Sequence, residues 1–185
     1  MMGMKKKLLI VLLFLLVAAN ICYGNGISLD GIYRNAAYGF SIRYPGTYKE
    51  AYNPNVLVEL NDARSSCAMH IVVHDMHGSG IETLTEREVL NLLKQKNDIA
   101  IQEGRIASMG MSVLYQGFLL TKDHSNEVYL IDTVTRDGNG VEVFARNGSI
   151  YAGGYIYSIT FMGNFAEKQA FDDLSIHVIR SFVNY

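Results

Sequence analysis

Cysteine is scarce in this chain, with two residues in 185, and tryptophan is absent altogether. Cys22 and Cys67 are too few for a disulfide scaffold, so stability must come from a packed core. Proline is equally sparse, at Pro45 and Pro54, and no low-complexity tract, internal repeat or interdomain linker divides the chain. Neither sign of charge dominates: sixteen basic residues stand against eighteen acidic ones, a formal −2. No block of like charge offers a nucleic-acid footprint or a polybasic anchor, so nucleic acid is excluded as a partner. Long apolar runs are missing too. The longest, Leu8 to Ala19, has twelve residues, against about 20 for a membrane-spanning helix.

That single apolar run has an informative setting. Lys5-Lys6-Lys7 precede it, and Cys22-Tyr23-Gly24 follow with small residues at the −3 and −1 positions of a cut. This is the layout of a secretory signal peptide over residues 1–24, cleaved after Gly24. A lipid-modified Cys22 fits less well, because Ile21 stands where the processing site wants a small residue. An uncleaved anchor would need a longer apolar run. The expected location is therefore secreted or periplasmic, with no stable membrane span after cleavage. Residues 25–185 then form one domain, large enough to bury roughly two-thirds of its unfolded surface. Losing Lys5, Lys6 and Lys7 leaves thirteen basic residues against eighteen acidic ones, a formal −5. Cys67 is then the one remaining thiol. No electropositive pattern surrounds it, which favours a buried core residue over a nucleophile.

Strand signals dominate the rest. Gly39 to Pro45 alternates apolar with polar and stops at the proline. Val56 to Leu60 and Ala68 to Asp75 predict the next strands. Thr85 to about Asn97 changes to helical spacing, with Thr85 and Glu88 as a capping box and Val89, Leu92, Leu93 and the stem of Lys96 as the inward face. Ile106 to Met111 and Val113 to Leu120 predict one long strand or two, and Val128 to Thr135 another. Asp137-Gly138-Asn139-Gly140 is the clearest hairpin signal. Ile150 to Met162 predicts a further strand, with Gly153-Gly154 as a bulge or kink. Asn164, with Glu167 three residues on, caps a closing helix whose apolar face is Ala170, Phe171, Leu174, Val178 and Phe182. The pattern is an α+β domain with an antiparallel sheet.

Tyr33-Arg34-Asn35, then Tyr38-Gly39-Phe40-Ser41-Ile42-Arg43-Tyr44-Pro45, resembles the opening of the PsbP/Mog1/DcrB-like superfamily. Tyr155 to Phe161, followed by a helix ending in Ile179-Arg180-Ser181-Phe182, is similar to that family's last strand and final helix. One departure is Gly46-Thr47-Tyr48, where many relatives place a tryptophan. The resemblance implies an αβα sandwich around a central antiparallel sheet. It carries over no catalytic set, because members mostly work by binding other proteins.

Chemistry-bearing residues are few, and the sequence asks for no cofactor. His70, His74 and His77 with Asp75 are the densest group of metal-capable side chains. On a strand His70 and His74 share a face but lie about 13 Å apart. His74 and His77 converge on a metal only if the chain turns at Asp75-Met76, which Gly78-Ser79-Gly80 makes plausible. His77-Gly78-Ser79-Gly80 lacks the first glycine and the strand–elbow–helix setting of a serine hydrolase. Glu86 and Glu88 on one helix do not face each other across a cleft. Asp137 to Gly140 lacks the spaced carboxylates of a calcium loop. Asn147-Gly148-Ser149 matches a glycosylation sequon, relevant only in a eukaryotic secretory route.

Tyrosines crowd two regions, Tyr33 to Tyr52 and Tyr151 to Tyr157. Alternation puts Tyr155 and Tyr157 with Ile159 and Phe161 in the core. Tyr48 and Tyr52, in the polar stretch around Pro54, are the expected partner surface, since tyrosine joins a rigid apolar body to a polar tip. The favoured reading is a noncatalytic accessory that binds a protein partner or supports an envelope assembly. The alternative is a small-ligand or metal-binding domain using the His74–His77 segment. The exported form is expected to begin at Asn25; intact-mass measurement on protein recovered outside the cytoplasm tests this, and a mass retaining residues 1–24 would contradict it.

Overall fold

Period-two alternation with turn residues between the runs produces ten strands among the described residues, which are 27–62 and 64–185 of a computed structural model. The signal peptide, its cut after Gly24, and Cys22 lie outside the described residues. Seven strands form one antiparallel sheet in the order β3 (Tyr48–Ala51), β4 (Val58–Asp62), β5 (Ala68–Asp75), β9 (Tyr155–Asn164), β8 (Glu142–Ala152), β7 (Glu127–Arg136) and β6 (Met111–Leu120). A smaller antiparallel sheet pairs β2 (Phe40–Tyr44) with β1 (Gly31–Asn35) on one side and β10 (Val183–Asn184) on the other.

Helix α1 (Glu86–Gln102) lies on one face of the large sheet, over β7 and β8. Helix α3 (Lys168–Arg180) and the small sheet lie on the other. Alternation along each strand divides its side chains between the two faces. Tyr129, Tyr151 and Ile156 meet Val89 and Leu90 of α1. Val128, Leu130, Ile150, Tyr157, Ile159 and Phe161 point the other way, into the main core with Phe40, Val178 and Phe182. The expected αβα sandwich is therefore formed, with the small sheet sharing the layer of α3.

Aromatic packing joins the small sheet to the rest. Phe40 stacks on Phe182 at 5.6 Å between centroids, and both meet the Tyr157 ring, at 5.1 and 4.9 Å. The Tyr157 hydroxyl donates to the Tyr38 carbonyl at 2.6 Å. Such pairs add about 0.5–1.5 kcal/mol each beyond the area they bury. Gly148 lets α3 come close: a Cβ there would lie 2.9 Å from Ile179 Cγ2.

One polar group crosses this core layer. Arg146 of β8 forms a two-pronged pair with Asp132 of β7, Nε to Oδ1 at 2.8 Å and Nη2 to Oδ2 at 2.6 Å. Its Nη1 donates to the Asp172 carbonyl and the Ser175 hydroxyl on α3, both at 2.9 Å. Lys168 grips the Asp172 carboxylate from one turn away.

Several local expectations give way to tertiary constraint. Gly153-Gly154 is a two-residue hairpin turn rather than a bulge; both residues have positive φ, 57° and 82°, as the tight turn requires. Ile150 to Met162 is thus the end of β8 and the start of β9. Ile106 to Ser108 belongs to a short helix, α2 (Arg105–Ser108), set between Gly104 and Gly110 at φ 69° and 71°. The capping box at Thr85 forms, but α1 runs on to Gln102. Its buried face includes Leu90, while Leu92 is exposed. Successive residues are about 100° apart, so Leu90 and Asn97 flank Leu93 inward and Leu92 swings away. Asn164 caps a 3-10 turn at Phe165–Glu167 ahead of α3. Strand β3 forms where the polar residues after Tyr48 carry no strand signal.

Arg146→Met is expected to cost about 3–5 kcal/mol in urea unfolding, because it strands the buried Asp132 carboxylate. Asp132→Leu combined with Arg146→Met is expected to recover most of that loss. A single variant as stable as the unaltered protein would deny the pair its role.

Candidate functional site

The large sheet stands between the two histidines proposed for a metal. His74, on β5, pairs in register with Ile156 and so points to the α1 face. Asp75 pairs with Tyr155 and points to the opposite face, where the His77 ring meets the Tyr155 ring edge-on at 5.0 Å. His77 Nδ1 lies 2.6 Å from Asp75 Oδ1, and the His77 amide and ring together hold the Asp75 carboxyl below its usual range. His74 and His77 are therefore not brought to one point. Among the described residues no three His, Cys, Asp or Glu side chains gather as a metal would need. The Ser79 hydroxyl donates to the Met76 carbonyl, closing a turn. Asn147, the sequon residue, sits in mid-strand and donates to Thr160 Oγ1 at 2.7 Å.

The two tyrosines chosen for the surface separate. Tyr48 is 3% exposed, a core residue and not a partner contact. Position 48 opens β3 and faces the side where Leu60 and Cys67 pack, which the polar residues after it concealed. Its hydroxyl has no hydrogen-bond partner among the described residues. Burial first, and the adjacent Cys67 thiol second, push that hydroxyl far above the ordinary tyrosine range. Cys67 is itself 2% exposed, and burial pushes its thiol up to about 11. Tyr52 is the reverse case, 92% exposed beyond the end of β3.

Beneath Tyr52 lies a fixed polar frame. Asn53 Nδ2 donates to Glu59 Oε2 at 2.7 Å, and Asn61 Nδ2 donates to Oε1 at 2.8 Å. His70 Nε2 stands 3.4 Å from Glu59 Oε2. The two amide donors, Asn53 first and then Asn61, hold the Glu59 carboxyl below its usual range, and the nearby His70 ring adds less. Asn53 Oδ1 also accepts from the Asn55 amide at 3.0 Å, and the Leu57 amide donates to the Ile71 carbonyl at 2.8 Å. The loop from β3 to β4 is thereby braced at both ends, around a hollow of about 470 Å³ beside Pro54 and Val56.

The row continues across the sheet. Glu59 pairs with His70, His70 with Thr160, and Thr160 with Asn147, all half-buried on the face of the large sheet that carries α1. In the sequence the evident chemistry of His70 is metal ligation alone. Asn53, Glu59 and Asn61 carried no motif, because register, not spacing, gathers them.

No family model matches the chain, and no curated protein matches it. Its structure is similar to cyanobacterial PsbP from a Synechocystis species, with TM-score 0.56 and 16% identity over 88% of this chain and 96% of that one. It is similar to a Bacteroides thetaiotaomicron protein, with TM-score 0.58 and 10% identity over 85% of this chain and 49% of the other, so it spans about half of that protein. It is also similar to the Ran-binding protein Mog1p of Saccharomyces cerevisiae, with TM-score 0.51 and 8% identity over 85% and 96%. The chain has the PsbP/Mog1-like fold expected from its two ends.

Tyr48→Phe is expected to leave stability unchanged or raise it by up to about 1 kcal/mol, since it removes a buried hydroxyl with no partner. Thermal or urea unfolding checks this; a loss above that size would reveal a hydrogen bond to the hydroxyl.

Proposed function

We propose that this chain is a noncatalytic accessory protein, exported after loss of residues 1–24, that binds a protein partner through the β3–β4 surface. One observation carries the reading: Tyr52 is 92% exposed on a loop whose backbone is already fixed. An aromatic side chain with two rotatable bonds on a braced loop loses little freedom on binding, which suits a contact anchor. Three carboxylates that could do acid–base work are occupied instead in holding structure. Glu59 braces the loop, Asp132 holds Arg146, and Asp75 holds the turn at His77. The Ran-binding activity of Mog1p supplies a precedent for this fold working by protein contact. Among the described residues no helix is long and apolar enough to cross a membrane.

A photo-crosslinking amino acid at position 52, introduced in the producing cell, is expected to trap one discrete protein. With that protein purified, Tyr52→Ala is expected to weaken binding by about tenfold or more while leaving the thermal midpoint in place. Unchanged affinity of the Tyr52→Ala variant would overturn the assignment of this surface.

A further inference from the structure

A second surface, at the opposite edge of the large sheet, has different chemistry. The C-terminal end of α3 meets β2, β10 and the turn between β6 and β7 around a cleft of about 880 Å³. That volume lies within the range of small-molecule sites, about 300–1,000 Å³. Its charged lining is mostly cationic: Arg43, Lys122 and Arg180, with His177 beside them and one acid, Asp123.

These three cations come from distant parts of the chain, and the segments that carry them are joined by hydrogen bonds. The Lys122 amide donates to the Arg180 carbonyl at 2.7 Å. Arg180 Nε donates to the Leu120 carbonyl at 3.1 Å. The Arg43 amide donates to Ser181 Oγ at 2.8 Å, which closes the third side.

Their lack of acidic partners sets them apart. Of the thirteen described lysines and arginines, seven are ion-paired with carboxylates, and three of the remaining six line this one cleft. One acid is present, Asp123, and its carboxylate already accepts from Thr121 Oγ1 and from the Ser125 hydroxyl and amide. The end of a helix carries partial negative charge, but its final carbonyls are taken here by the amides of Lys122, Ser181 and Phe182. Arg43, Lys122 and Arg180 outnumber Asp123, so the cleft is net positive in a chain that is net negative.

The rest of the wall is apolar. Leu29, Ile176 and Phe182 line it, and Ile27 and Val183 at its margin are 38% and 39% exposed. Fixed cations next to uncovered apolar side chains match a ligand that is charged at one end and greasy at the other. We infer that this cleft binds an anionic amphiphile, its phosphate or carboxylate on Arg43, Lys122 and Arg180 and its alkyl chain along Leu29, Ile176 and Val183. This is independent of the partner surface at Tyr52.

Titration calorimetry of the exported full chain with decyl phosphate, below its micelle concentration, tests the site. Decyl phosphate is expected to bind saturably and about tenfold or more tighter than inorganic phosphate, with affinity falling as salt rises. Decyl maltoside, with the same tail and no charge, is expected not to saturate. Arg43→Gln with Lys122→Gln, whose side chains make no hydrogen bonds among the described residues, is expected to lower decyl phosphate affinity by about tenfold, and Lys49→Gln to leave it unchanged. Inorganic phosphate binding as tightly as decyl phosphate would reduce the cleft to a plain anion site and overturn the amphiphile. Equal binding of decyl maltoside, or an unaffected double variant, would overturn the role of the cations.

Discussion

The buried pair of Arg146 and Asp132 is the constraint around which the α3 layer is arranged. Asp132 is 2% exposed and Arg146 6%, so neither charge has water to fall back on. Desolvating two such groups costs several kcal/mol each, and only near-ideal geometry offsets it. The two-pronged contact supplies that geometry within the sheet, and the remaining guanidinium hydrogens reach Asp172 and Ser175 on α3. A charge network of this kind specifies position as much as it stabilises. Slipping α3 by one residue would leave buried donors unpaired, a penalty comparable to that of a whole core side chain.

With α3 held at that depth, other features follow. Gly148 leaves room for Ile179, so the helix sits close on β8. Phe182, just past the helix end, then reaches Phe40 and Tyr157. That aromatic contact draws in the small sheet, and β10 pairs with β2. The cationic cleft is the space left at this junction. Its three basic side chains stand on segments that hydrogen-bond one another, so their closeness is a property of the fold and not of flexible side chains.

The other face is governed by what α1 leaves uncovered. The helix spans β7 and β8 and satisfies Tyr129 through Asn97, whose Nδ2 donates to the hydroxyl at 3.1 Å. Beyond it, β4, β5 and β9 present the polar row of Glu59, His70 and Thr160, with Val72 and Met162 half-buried on the same face. Hydrogen bonds between neighbouring side chains take the place of a covering helix there, and one of them runs out to the loop bearing Tyr52. The two proposed binding surfaces thus lie at opposite edges of one sheet and draw on different physics, a braced aromatic and a cluster of cations.

Local chemistry was legible wherever it acts within a few residues. Alternation located β2, β5 and β7, the Thr85–Glu88 box marked the start of α1, and the glycines after Asp137 marked a hairpin, because each rests on nearest-neighbour backbone constraints. Two end motifs were enough for the PsbP/Mog1-like architecture. Interactions between distant segments were not legible. Only strand pairing decided that Gly153-Gly154 turns the chain rather than bulging it, and only the contact of the His77 ring with Tyr155 set it apart from His74. Packing decided that Tyr48 is core while Tyr52, four residues on, is solvent. Arg43, Lys122 and Arg180 are separated by scores of residues, and no spacing rule links them. Residue types and short-range periodicity determine which elements form; which side chains share a surface depends on how those elements stack, and that is settled by burial, charge pairing and close contact in three dimensions.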